Sequence, residues 1–165
     1  MLVLGIDPGT AITGYGLVRE NRSELTLVDY GVITTAAGQP LPERLQAIYQ
    51  GLADVARRHE PEEAAVEELF FSRNVRTALS VGHARGVTLL ALADAGLPIH
   101  EYKPLEIKQA ITGYGGAGKQ QVQEMVRLLL NLDHVPQPDD AADAVAVAVC
   151  HIHSARMAAA IEDAR

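Results

Sequence analysis

Hydrophobic and polar positions alternate with a period of two over Leu2–Asp7, so that Leu2, Leu4 and Ile6 share one face and Val3, Gly5 and Asp7 the other. This predicts a strand, closed by the turn pair Pro8-Gly9. Thr13–Arg19 and Leu25–Thr34, rich in Val, Ile, Tyr and Thr, predict two more strands joined by the polar turn Asn21-Arg22-Ser23. Links this short favour an antiparallel meander. The period then changes. Leu41, Leu45, Ile48, Leu52 and Val55 recur at helical spacing, with Pro42 in the first turn and Pro61 beyond the end. Ala64–Glu67 is a short strand, a helix covers about Val75 to Ala95, and Pro98–Tyr102 is the last strand. Three helices follow: Pro104–Ile111, Lys119–Leu132 with Val122, Met125, Val126 and Leu129 on its apolar face, and an alanine-rich helix opened by Pro138 and running to roughly Ala160. Gly82 and Gly86 lie four apart in the Val75–Ala95 helix. Each costs about 1 kcal/mol of helix propensity, which predicts close packing against another backbone as compensation.

The order is thus β-β-β-α-β-α-β followed by helices. A meander sets the first three strands as 3-2-1, and a right-handed crossover sets the fourth beside the first with the fifth outside it. The expected fold class is α/β: a five-stranded mixed sheet of order 3-2-1-4-5, strand two antiparallel, flanked by helices. We expect one domain over residues 1–165, a length that allows a real core. Asp7 and Glu67 then fall on neighbouring central strands.

Composition narrows the setting. Hydrophobic residues make up 48% and charged residues 21%, as in soluble globular proteins. Cys150 is the single cysteine, which excludes an intramolecular disulfide framework and points to a reducing, cytoplasmic compartment. No apolar run approaches the roughly 18–20 residues of a membrane span, so no membrane is expected. The run Leu2–Ile6 is too short for a signal peptide and lacks a basic leader. The net charge of −7 argues against a polyanionic partner until its distribution is considered. Residues 1–72 hold 5 basic and 11 acidic side chains, residues 73–127 hold 7 and 4, and residues 128–165 hold 2 and 6. The middle third is the only net-positive stretch, where a phosphate-binding face would lie. A randomly mixed surface also fits so small an imbalance.

The carboxylates change the picture further. Asp7 follows Leu-Val-Leu-Gly-Ile and Glu67 ends Ala-Ala-Val-Glu, and a carboxylate in an apolar strand is costly unless something compensates it. Asp140-Ala-Ala-Asp143 opens the alanine-rich helix, and i, i+3 spacing puts both carboxylates on one face. Capping and dipole compensation offer a second reading for Asp140, less so for the deeper Asp143. Converging carboxylates repel unless cations lie between them, and hard oxygen ligands favour Mg²⁺. Two ions about 4 Å apart suit phosphodiester hydrolysis. Cys150, His151 and His153 are scattered around a helix by their i, i+1, i+3 spacing and read as ordinary helix residues, so no Cys/His cluster offers a competing zinc site. Gly113-Tyr-Gly-Gly-Ala-Gly-Lys-Gln120 nearly matches a P-loop, but Gln120 replaces the hydroxyl needed on Mg²⁺ and a helix, not a strand, precedes it. A flexible loop presenting Lys119 to a phosphate is the better reading.

Gly5-Ile-Asp-Pro-Gly-Thr10, Thr13-Gly-Tyr-Gly16, Val66-Glu-Glu-Leu-Phe70, Ala84-Arg-Gly-Val87 and Asp140-Ala-Ala-Asp-Ala144, taken in this order and spacing, closely resemble the RuvC family of Holliday junction resolvases. The resemblance covers nearly the whole chain. It implies a ribonuclease-H-like fold and a structure-specific DNA endonuclease of recombination and repair that makes paired symmetric nicks, leaving 5′-phosphate and 3′-hydroxyl ends. It implies that Asp7, Glu67, Asp140 and Asp143 are catalytic and bind Mg²⁺, or Mn²⁺ in its place, as two ions per site with substrate bound. The D-x-x-D spacing selects Asp140, which leaves Asp139 as a cap. Phe70 matches an aromatic that stacks on an unpaired base, an interaction worth about 1–3 kcal/mol; Phe70 or its neighbour Phe71 as core is the alternative. Lys108 and Lys119 match lysines near the scissile phosphate. Arg73 and Arg76 are further candidates for phosphate contacts, with solvated surface the other reading. Two symmetric nicks imply a homodimer on a four-way DNA junction, and family membership implies RuvA and RuvB branch-migration partners. The acidic end Glu162-Asp-Ala-Arg165 departs from the more basic tails of some relatives, so DNA affinity is expected to be modest and salt-dependent.

Two other classes compete. Actin-like sugar kinases and chaperone ATPases share a first-strand G-I-D-x-G-T-like turn but need a second related domain, for which this chain has no room. A related ribonuclease-H-like nuclease acting on RNA is the alternative function, against which the Phe70 motif and the full-length match argue.

Overall fold

The meander forms as the alternation predicts. The computed structural model describes residues 1–68 and 75–164. Strands β1 (Leu2–Asp7), β2 (Ile12–Asn21) and β3 (Glu24–Thr34) pair antiparallel in sequence, with a register shift in the β2–β3 ladder between Leu17 and Val18. Helix α1 (Leu41–His59) then returns the chain so that β4 (Glu63–Glu67) runs parallel to β1 on its free edge. Helix α2 (Val75–Asp94) repeats the crossover and delivers β5 (Ile99–Tyr102) parallel to β4. The sheet order is β3-β2-β1-β4-β5, as expected from the meander and two right-handed crossovers.

Two apolar layers cover the sheet. Leu2, Leu4, Ile6, Ala64 and Val66 face α1 and α2 and pack with Ile48, Leu52, Ala84 and Leu92. Val3, Val18 and Ala65 face the other way, towards α3 (Pro104–Thr112), α4 (Lys119–Leu129) and α5 (Asp139–Asp163). Helix α5 has 25 residues and an apolar composition that would suit a membrane span, yet Ala141, Ala142 and Ala144–Ile152 are buried inside the protein. It is the central core helix. Helix α4 ends earlier than its apolar pattern suggests, because Asn131 turns left-handed (φ 51°) and the Leu132 N–H returns to the Arg127 carbonyl at 2.9 Å.

The docking of α5 depends on missing side chains. A Cβ on Gly5 would strike the Ala144 carbonyl oxygen, and one on Gly14 the Asp140 carbonyl. These two glycines of β1 and β2 let the backbone of α5 lie directly on the sheet, which is what brings its first turns beside Asp7. The close packing expected at Gly86 is not met among the described residues, where a Cβ would find nothing within 4 Å. That side of α2 faces outward, where Val75, Leu79 and Leu90 are also exposed.

Candidate active site

The site is built where β1 and β4 end and α5 begins. Asp7 and Glu67 are the last residues of their parallel strands, so both carboxyl groups emerge at the same end of the sheet. Asp140 and Asp143 reach that end from the first turns of α5. The turn after β1 is fixed to its surroundings by hydroxyls. Thr13 Oγ1 donates to the Gly9 carbonyl at 2.7 Å, Thr10 Oγ1 donates to the Ser80 carbonyl of α2 at 2.5 Å, and Thr35 Oγ1 donates to the Thr10 carbonyl at 2.5 Å. Buried polar groups held this way order the backbone that carries Asp7.

The electrostatics are those of crowded carboxylates. Burial, reinforced by Glu67, Asp143 and Asp140, pushes the Asp7 carboxyl up to about 8. A proton shared in a hydrogen bond between the two carboxyls would favour Asp7 as the acid and Glu67 as the carboxylate. Burial raises Glu67 as well, against the opposing pull of that hydrogen bond and of Lys119 and Lys108. Asp143 is raised by burial too, which outweighs its contact with Lys119. A cluster that must keep protons near neutral pH is one that divalent cations can neutralise instead, so the donor set fits hard oxygen-seeking ions.

Lys119, the first residue of α4, spans Asp143 (2.9 Å) and Asp139 (3.2 Å) with its ammonium group. Although partial burial works against its charge, the two carboxylates raise its affinity for a proton. Asp139 therefore differs from the sequence reading. The N-cap of α5 is Pro138, and Asp139 is the first helical residue, bonded to Lys119 and to the Gln123 amide at 3.2 Å. The reason is tertiary: α4 lies against α5 and supplies Lys119 and Gln123 as partners, while the Ala141 and Ala142 N–H groups donate to the Pro138 carbonyl.

A cleft of about 260 Å³ opens on the carboxylates, lined by Glu67, Lys108, Lys119, Val122, Asp143 and Ala146 among others. Both predicted lysines thus share one cavity with two of the predicted acids. Arg76 lies elsewhere, in a groove lined also by Thr10, Arg44, Ser80 and Asp140. Phe70 and Arg73 fall outside the described residues. Two basic residues escaped the sequence reading. Arg44, whose Nε donates to Thr35 Oγ1 at 2.8 Å, lines the Asp140 groove, and Arg85 lines a further cleft with Asp7, Glu67 and Glu68. Arg85 sat inside the Ala84-Arg-Gly-Val87 motif, the one signal that marked it. Its guanidinium pairs with Glu101 of β5 at 2.6 Å.

A mixed sheet of order 3-2-1-4-5 with acidic residues at the ends of its two central strands and on the covering helix defines a ribonuclease-H-like nuclease of the resolvase type. Residues 3–151 match the family described as crossover junction endodeoxyribonuclease RuvC. A protein of that name from Chloroflexus aurantiacus is 61% identical over 155 residues, 94% of each chain. The structure of Thermus thermophilus RuvC in complex with a Holliday junction substrate is 40% identical and covers 96% of both chains, with a TM-score of 0.91. The yeast mitochondrial Holliday junction resolvase Ydc2 shares the fold at 13% identity, with a TM-score of 0.68 over 92% of this chain and 77% of its own. The chain belongs to the RuvC family of metal-dependent crossover junction endodeoxyribonucleases.

Proposed function

We propose that this chain resolves four-way DNA junctions, with Asp7, Glu67, Asp140 and Asp143 holding two Mg²⁺ ions, or Mn²⁺ in their place, when DNA is bound. The observation that carries the reading is the buried Asp7, pushed up to about 8 by its own desolvation and three neighbouring carboxylates. Such a group is unfavourable in the empty protein and becomes favourable once cations and a phosphate share the site. Bound as a pair, the ions supply Lewis-acid stabilisation of the attacking and leaving oxygens of an in-line displacement. The residues of the chain do the rest. Lys108 and Lys119 line the cleft and hold the non-bridging phosphate oxygens, Lys119 exchanging its carboxylate partners for the substrate. Arg76 and Arg44 flank Asp140 and take a neighbouring phosphate. Phe70 and Arg73, just beyond β4, complete the DNA contacts by stacking and by phosphate binding respectively. Hydrolysis leaves 5′-phosphate and 3′-hydroxyl ends.

Paired symmetric nicks need two such sites, and the outward side of α2 supports a homodimer. Val75, Leu79 and Leu90 are exposed along it by 70%, 60% and 55%, and Gly86 leaves room there for another backbone. A second copy of the same helix satisfies both features, in an isologous interface. Residues 1–165 act as one nuclease domain, a reading supported by the family match over residues 3–151; the protein works in the cytoplasm, and branch-migration proteins of the RuvA and RuvB type act on the same junction.

The test mixes purified protein, Mg²⁺ or Mn²⁺ and a synthetic four-way junction. Paired symmetric nicks are expected, absent in Asp7→Asn. Cleavage of an RNA hairpin in preference to the junction would overturn the assignment in favour of a nuclease acting on RNA. Leu79→Glu is expected to give monomers by light scattering and single, uncoupled nicks.

A further inference from the structure

Glu63, His100 and His151 meet at the end of the sheet away from the carboxylates. Glu63 opens β4, His100 lies in β5, and His151 lies in the middle of α5. Glu63 Oε2 is 2.8 Å from His151 Nε2 and 3.0 Å from His100 Nε2, and one donor atom from each of the three residues lies within 4.8 Å of the others. The imidazole rings pack with centroids 4.3 Å apart. His151 Nδ1 is 2.7 Å from the Tyr102 hydroxyl.

We propose that Glu63, His100 and His151 form a second metal site, for zinc or a similar imidazole-seeking transition-metal ion, separate from the catalytic carboxylates. Two imidazoles and one carboxylate are a donor set that suits zinc and leaves a fourth position open. Bonds of roughly 2.0–2.2 Å to a tetrahedral ion require ligand atoms about 3.3 Å apart. The observed separations of 2.8 and 3.0 Å from the Glu63 oxygen need only a small outward movement. Tyr102 supplies the outer contact that a metal-bound histidine needs: with Nε2 on the ion, Nδ1–H donates to the phenol oxygen and fixes the ring. Without an ion, Nε2–H instead donates to Glu63 and the proton sits on the other nitrogen. The side chain of His151 is 3% exposed while that of His100 is 43% exposed, so an ion enters from the His100 side.

The position gives the ion a role. Four residues of β4 separate Glu63 from Glu67, roughly 13 Å, and eight of α5 separate His151 from Asp143, roughly 12 Å. The ion would clip together β4, β5 and α5, the elements that carry Glu67, lead into Lys108 and carry Asp140 and Asp143. It is a structural clip, not a participant in hydrolysis.

The full-length protein is stripped with chelator, returned to excess Mg²⁺ and titrated with Zn²⁺ by calorimetry, and with Co²⁺ by visible absorption. The wild type is expected to bind one Zn²⁺ more than His100→Ala, and its Co²⁺ complex to show the strong absorption of a low-coordinate nitrogen-containing site. Zn²⁺ is expected to raise Tm in the wild type and to lose that effect in His100→Ala and in Glu63→Gln, which preserves side-chain shape. Mg²⁺-dependent junction nicking by His100→Ala stays within about twofold of wild type. Equal Zn²⁺ stoichiometry and identical Co²⁺ spectra in wild type and His100→Ala would overturn the proposal and leave the three side chains as a hydrogen-bonded tie.

Discussion

Replacing Asp7 by Asn removes a strongly disfavoured ionisation from the site, and the consequence is a gain in stability that grows with pH. The Asp7 carboxyl is shifted from 3.8 to about 8, by burial first and then by Glu67, Asp143 and Asp140. At about 1.4 kcal/mol per pH unit, the rise from 3.8 to about 8 sets a ceiling of ~6 kcal/mol on the cost of ionising it in the folded state. Sharing a proton with Glu67 and partial solvation reduce this, so a net effect of about 2 kcal/mol is expected. The direction follows from proton binding. Below pH 3.8 the residue is protonated in both folded and unfolded chains and costs nothing. Between 3.8 and about 8 the unfolded chain has lost the proton and the folded one keeps it, so wild-type stability falls steadily relative to the variant. Above about 8 the difference is constant. Thermal denaturation in EDTA across this range should therefore show the Asp7→Asn advantage widening from near zero and levelling off. For a domain of this size, 2 kcal/mol is worth roughly 4–8 °C in Tm. Mg²⁺ should reverse the ranking, because it stabilises the chain that binds it more tightly. A Tm difference that does not change with pH, or a variant less stable than wild type at pH 8, would refute the account of the site.

Three further outcomes follow from the same geometry. Gly14→Ala forces a methyl group onto the Asp140 carbonyl, so it should lower stability by about 2 kcal/mol or more in denaturant unfolding and reduce nicking more steeply, by shifting α5 away from Asp7. Lys119→Ala removes a cation from the cleft while leaving the four acids in place; junction nicking should fall by about 10²-fold with little change in Mg²⁺ requirement, measured by single-turnover kinetics. Protons and cations compete for Asp7, so the Mg²⁺ concentration for half-maximal nicking should fall as pH rises through about 8, and a requirement independent of pH between 6 and 9 would count against that competition.

Much of the architecture could be read directly from the residues. The alternation in Leu2–Asp7, the short polar turn at Asn21-Arg22-Ser23 and the helical spacing from Leu41 to Val55 are local patterns, and with the right-handed crossover rule they lead to the observed strand order. Asp7 and Glu67 stood out because a carboxylate in an apolar strand is too costly to keep without a cation or a proton to neutralise it. Partnerships between distant residues were not legible. Nothing near Asp139 in the chain indicates that Lys119, twenty residues earlier, will take it. Gly5 and Gly14 read as ordinary strand positions, and only the approach of α5 shows that their lost side chains make room for the helix.

The sequence by itself determined the elements, their order in the sheet and the two central acids, since these follow from periodicity, turn chemistry and the cost of burying charge. Tertiary structure alone decided which end of α5 meets β1, how Lys119 bridges the acids, and that Glu63, His100 and His151 converge from three elements. The physical reason is range. Hydrogen-bonding geometry and hydrophobic period act within a few residues, whereas proximity across the core is set by how whole elements pack.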